Sequence, residues 1–89
     1  MKVSGEMILR EIAGEFILIP VGQTALKVHG MISLTESGML LWKKLQDDCS
    51  EADLVDTILG EYEIDRETAI KDVQAFLEKL DDIGILIRG

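Results

Sequence analysis

The spacing of apolar positions changes once along this chain, from a period of two to a period of 3.6. Met7–Ile12 (MILREI) and Glu15–Pro20 (EFILIP) are aliphatic-rich and joined by Ala13-Gly14, which predicts two strands and a two-residue hairpin turn. Pro20 has no N–H to give to a ladder, so the second strand ends there or lies at an edge. Thr24–Val28 (TALKV) alternates weakly, and His29-Gly30 reads as a second tight turn. Met31–Leu34 (MISL) predicts a third strand, with Met31 and Ser33 on one face and Ile32 and Leu34 on the other. An extended Thr24–Val28 would pair with that strand through the His29-Gly30 turn.

Helical spacing begins at Thr35, a candidate N-cap followed by Glu36 in the first turn. A first helix is expected over Glu36–Gln46, with Leu41, Trp42 and Leu45 inward and Lys43 and Lys44 outward. Ser50-Glu51-Ala52-Asp53 resembles a capping box and opens a second helix over Glu51–Tyr62. Asp65 caps a third over Arg66–Ile83, which Gly84 ends. Ile85–Ile87 is an apolar tail able to fold back on the core. Strands first and helices after imply an α+β chain with helices packed on one side of an antiparallel sheet. Residues 1–89 are expected to form one domain.

On a wheel of 100° per residue, Ala69, Ile70, Val73, Phe76, Leu77, Leu80 and Ile83 cover about 140° of the third helix. One margin carries Ile70 and Leu77, the other Ala69, Phe76 and Ile83, with Val73 and Leu80 between. All seven can be core. Alternatively one margin packs on the other helices while its opposite lines a groove beside the sheet, and the wheel does not rank the two.

Charge narrows the choice of function. The chain holds 17 acids and 9 bases, for a net −8. Four acids (Glu6, Glu11, Glu15, Glu36) and five bases (Lys2, Arg10, Lys27, Lys43, Lys44) precede Asp47, so nearly all the negative charge lies in the helical half. The single cysteine, Cys49, cannot form an internal disulfide, and with one histidine, His29, neither a metal cluster nor a Ser/His/Asp triad is indicated. No apolar run approaches the ~20 residues of a membrane helix, and no signal peptide is visible, so a cytoplasmic protein is expected. Most carboxylates sit on polar helix faces, where solvation explains them. No enzyme is expected, and no cofactor is implied.

The segments GEFILIP, GMISLTESGMLLW, EADLVDTILGEYEID and ETAIKDVQAFLEKLDDIGIL, taken in that order, resemble the PqqD family of RiPP recognition elements over about residues 6–87. The resemblance implies a winged helix-turn-helix-like fold with a three-stranded antiparallel sheet followed by three helices. It also implies a non-catalytic protein that binds the leader segment of a ribosomally made precursor peptide. The leader adds as a strand to the third strand, in a cleft walled by the third helix. It is then presented to a modifying enzyme, often of the radical S-adenosylmethionine type. On this basis Met31, Ile32, Ser33 and Leu34 are expected to supply the pairing edge. Ile70, Val73 and Leu77 are expected to wall the groove, and Lys71 to meet an acidic leader residue. A Thr24–Val28 strand would cover that same edge.

Two other classes fit parts of the pattern. A structural interaction module, such as a homodimer through the open edge, uses the same features. A winged-helix DNA-binding regulator needs basic helices to replace phosphate counterions. The second helix instead carries Glu51, Asp53, Asp56 and Glu61 with no base, which argues against nucleic acid.

Overall fold

A computed structural model describes residues 1–88. The elements in order are β1 (Lys2–Val3), β2 (Met7–Ile12), β3 (Glu15–Pro20), α1 (Thr24–Lys27), β4 (Ile32–Leu34), α2 (Glu36–Lys44), α3 (Glu51–Glu61), α4 (Arg66–Asp82) and β5 (Leu86–Ile87). An antiparallel sheet has the order β2-β3-β4, and the apolar tail folds back so that β5 pairs with β1.

The hairpin decides which way every backbone group of the larger sheet points. Ala13 and Gly14 both have positive φ, +53° and +81°, as a type I′ turn requires. Such a turn closes on Ile12 and Glu15 as a hydrogen-bonded pair. Pairs then alternate, so Arg10↔Ile17 and Ile8↔Ile19 exchange bonds as well. The Val21 N–H donates to the Glu6 carbonyl at 3.0 Å and continues the series. Phe16, Leu18 and Pro20 must therefore turn their polar groups the other way, toward β4. There Phe16↔Leu34 and Leu18↔Ile32 form the bonded pairs, and Ile17↔Ser33 is the non-bonded pair between them. The next partner from β3 is Pro20, which lacks an N–H, and the β3–β4 ladder stops.

Thr24–Val28 is not a strand. Thr24 and Val28, four residues apart, are the buried positions, and Leu26, which an alternating strand would bury with them, is 78% exposed. The Thr24 hydroxyl accepts the Glu6 N–H at 2.6 Å and ties α1 to the start of β2. Weak alternation and a single helical turn share positions 24 and 28, which is why the pattern misled. The consequence is that no strand lies outside β4 among the described residues.

All three longer helices start where their caps predict. Thr35 Oγ1 accepts from the Gly38 N–H at 3.1 Å. Ser50 and Asp53 exchange side-chain and backbone bonds in a complete capping box. Asp65 Oδ1 accepts from the Thr68 N–H at 2.9 Å. Helix α2 ends two residues earlier than expected, and α3 and α4 one earlier. Between sheet and helices lies a core of Leu18 and Leu34 against Leu41, Trp42, Leu45, Leu54, Ile58, Val73, Phe76, Leu77 and Leu80, closed by Ile85. Among the described residues no helix is long and apolar enough to cross a membrane.

The capping acids give the fold a pH dependence. Bonds from Ser50, backbone first, hold the Asp53 carboxyl below its ordinary 3.8. Bonds from Thr68, side chain first, do the same for Asp65. Lowered folded-state values mean that this stabilisation is complete above the unfolded value and is lost as pH falls through the folded one. The melting temperature is expected to fall on acidification below about 4. A double Asp53→Asn, Asp65→Asn variant, which keeps neutral capping groups, is expected to show a shallower acid limb in thermal melts followed by circular dichroism.

Candidate functional site

Because Ile17↔Ser33 is a non-bonded pair, the N–H and C=O of Ser33 point away from β3. They form the centre of an open edge, with no strand beside them among the described residues. Lys79 of α4 bears this out: its Nζ donates to the Ser33 carbonyl at 3.2 Å. Met31, just before the strand, is 65% exposed, and Ser33 is exposed as well. Ile32 and Leu34 point to the helices, and Leu34 is buried.

Beside this edge lies a cleft of about 300 Å³. Ser33 and Leu34 form one side, Gly38 and Leu41 the floor, and Asp72, Ala75, Phe76 and Lys79 the α4 wall. Gly38 is what brings the floor so close. A Cβ there would stand 3.5 Å from both Leu34 Cβ and Phe76 Cε1, and 3.3 Å from Thr35 Oγ1. Past Asp72 the cleft opens into a second depression lined by Glu36, Ile58, Tyr62 and Ile64. There the Tyr62 hydroxyl donates to Glu36 Oε1 at 3.1 Å. Desolvation, and then this bond, push the phenol's pKa up, so Tyr62 is a neutral donor.

The structure brings Met31, Ile32, Ser33 and Leu34 to the expected edge. It does not bring Ile70, Val73 and Leu77 to the cleft. Val73 is 0% exposed and Leu77 1%, both inside the core, and Ile70 is half-buried against it. What Leu77 leaves exposed borders a different depression, with Glu51 and Arg88. Lys71 pairs with Glu67 at 3.6 Å on an open helix face, an exposed contact of little energetic weight. The cleft-facing residues Asp72, Ala75, Phe76 and Lys79 centre roughly 160° around α4 from the Ile70–Leu77 margin. The wall is thus drawn from the Phe76 side of the helix. An apolar wheel cannot reveal this, because three of its four residues are polar or small. The presence of small Ala75 beside large Phe76, and of Gly38 opposite, was the available signal.

Other chemistry-bearing residues stand apart from the cleft. Cys49 is buried, and desolvation pushes its thiol pKa up, the opposite of an activated thiolate. Trp42 is core at 5% exposure, and His29 is exposed beyond α1. Among the described residues no group of His, Cys, Asp and Glu could hold a metal ion.

The sequence profile described as Coenzyme PQQ synthesis protein D (PqqD) matches residues 15–86, every element that lines the cleft included. The chain belongs to the PqqD family. Two solved structures share this PqqD-family fold closely. One is TbiB1 in complex with the TbiA(beta) leader peptide, with a TM-score of 0.76 at 24% identity, covering 100% of this chain and 99% of that one. Another is a lasso peptide synthetase B1 complexed with the leader peptide, with a TM-score of 0.73 at 21% identity, covering 98% and 96%. Among curated proteins none is a significant match.

Proposed function

We propose that this PqqD-family protein binds the leader segment of a ribosomally made precursor peptide by strand addition to β4. It presents the bound peptide to a modifying enzyme, of which the radical S-adenosylmethionine type is the prime candidate. The observation that carries this reading is the outward N–H and C=O of Ser33 at the mouth of an apolar-floored cleft. An unpaired edge binds extended chain through its main-chain groups, and pockets beside it select side chains. Family membership and the two leader-bound fold relatives support the same reading. Met31 and Ser33 act chiefly through backbone, whereas Ile32 and Leu34 give their main-chain groups to β3 and hold the edge in place. Ala75 and Phe76 receive apolar side chains, while Ile70, Val73 and Leu77 hold the wall from behind. The bond-making chemistry belongs to the partner enzyme.

Calorimetric titration with leader segments of precursor peptides encoded in the same gene neighbourhood tests the proposal. One-to-one binding near micromolar, about −8 kcal/mol, is expected, with amide shifts at residues 31–35 and 72–79. No heat and no shifts there overturn it. Ala75→Trp fills the cleft from an exposed helix position. It is expected to weaken leader binding at least about tenfold, with the melting temperature within a few degrees of the parent.

A second copy of the chain is the competing occupant of an open edge. The β2 edge favours it, since the alternation leaves the backbone groups of Met7, Leu9 and Glu11 facing outward on a six-residue strand. Sedimentation separates the two: a dimer that persists on saturation with leader uses β2, and one that dissociates uses β4.

A further inference from the structure

The Ser33 carbonyl is the acceptor that an added strand needs, and it is already occupied. Lys79 Nζ donates to it from the opposite wall of the cleft, across 46 residues of chain. None of the ion pairs among the described residues includes Lys79, although Glu78 and Asp82 adjoin it on α4. The ammonium is thus held by a neutral carbonyl rather than by a carboxylate.

We propose that Lys79 is the specificity residue of the β4 edge: it guards the Ser33 carbonyl in the free protein and passes to a carboxylate of the bound peptide. The inference rests on the reading of β4 as the peptide site and names the chemistry that site selects. When an incoming N–H takes the Ser33 carbonyl, the ammonium must share that oxygen or find another acceptor. The geometry of an added strand says where that acceptor lies. The peptide residue opposite Ser33 points its side chain to the outer face, as Ser33 does. Its two neighbours point to the face of Ile32 and Leu34, toward α4, where Lys79 stands. An Asp or Glu at one of those positions gives a charge-assisted bond stronger than the neutral one it replaces. A Lys or Arg there meets the ammonium head-on. Asp72 sits seven residues back on the same wall, about 10 Å along the helix, so the demand for an acid is local to the Ser33 end. A guarding lysine also suits the free protein, because charged side chains on an exposed edge discourage pairing with the wrong strand.

The test is selection from a displayed library of short random peptides on three proteins: the parent, Lys79→Glu and Lys79→Met. Lys79 is exposed, and both replacements are good helix formers, so all three are expected to fold. The parent is expected to enrich Asp or Glu at one position of an apolar peptide. Lys79→Glu is expected to enrich Lys or Arg there, and Lys79→Met neither. A parent-selected acidic peptide is expected to lose about three- to tenfold in affinity for Lys79→Met and to regain it in a Lys79→Glu pairing with the acid changed to lysine. Peptides that bind at Ser33 by amide shift but show the same acid preference, or none, on all three proteins overturn the role of Lys79 and leave the β4 site standing. Failure of all three to enrich any peptide that shifts residues 31–35 overturns both.

Discussion

Ser33→Pro is expected to abolish leader binding while leaving the fold intact. The Ser33 N–H takes no part in the β3–β4 ladder, because Ile17↔Ser33 is the non-bonded pair. Proline is tolerated on an edge strand when its missing N–H faces outward. On the outer side the ring removes one main-chain bond and places its own bulk where the peptide backbone must come. The expected loss is at least about 100-fold, since bond and contact are lost together. Ile32→Pro is the matched control, one residue away. Its N–H is turned toward Leu18, so that substitution is expected to lower the melting temperature clearly. If Ser33→Pro binds leader like the parent, the peptide does not add to β4. If Ile32→Pro melts like the parent, the alternation is misassigned.

Val73→Glu is expected to leave the chain unfolded at 25 °C. Val73 is fully buried at the centre of the α4 face, among residues such as Leu77 and Leu80 that are themselves 1% and 0% exposed. A carboxylate there has no partner, and an unpaired buried charge or its neutralised form costs several kcal/mol. A chain of 89 residues has only about 5–13 kcal/mol in reserve, and the lost valine packing comes out of the same reserve. Far-ultraviolet circular dichroism and a urea titration decide it. A cooperative transition near the parental midpoint would mean that α4 packs differently. Ala75→Trp, two residues on, is expected to do the reverse, keeping the fold and losing the ligand. The pair together locates the boundary between core and cleft on one helix.

Much of this architecture was legible because short-range signals agreed with the long-range pattern. Ala13-Gly14, Pro20, Thr35, Ser50–Asp53, Asp65 and Gly84 each end or begin an element close to where their chemistry predicts. Thr24–Val28 failed for a specific reason: in five residues, a strand and one helical turn both bury the first and last positions. Only the fate of Leu26 separates them, and its exposure is a tertiary fact. The cleft was half legible. The strand Met31–Leu34 follows from the pattern, but its role as the open edge comes from the family resemblance, since the pattern itself places a Thr24–Val28 strand over it. The α4 wall could not, since hydrophobic periodicity reports which residues are buried, whereas a binding wall is built at the border of burial. Lys79 lay on the polar face of its helix, where a solvated lysine is the ordinary reading, and only the 3.2 Å bond across the cleft sets it apart.

The ring of Pro20 has a consequence in time as well as in space. By stopping the β3–β4 ladder at Leu18↔Ile32 it leaves β4 three residues long, so a docked peptide meets few main-chain groups. Such a contact rests on the few outward main-chain groups around Ser33 together with side chains in the cleft, and is about micromolar. With ordinary association at about 10⁵–10⁷ M⁻¹s⁻¹, dissociation runs at about 0.1–10 per second. A peptide therefore stays for about 0.1–10 s, no shorter than the turnover time of about 0.1 s of a median enzyme. A longer ladder would lengthen that stay further. On the proposed reading, the short strand keeps the carrier's release within reach of a partner enzyme's turnover.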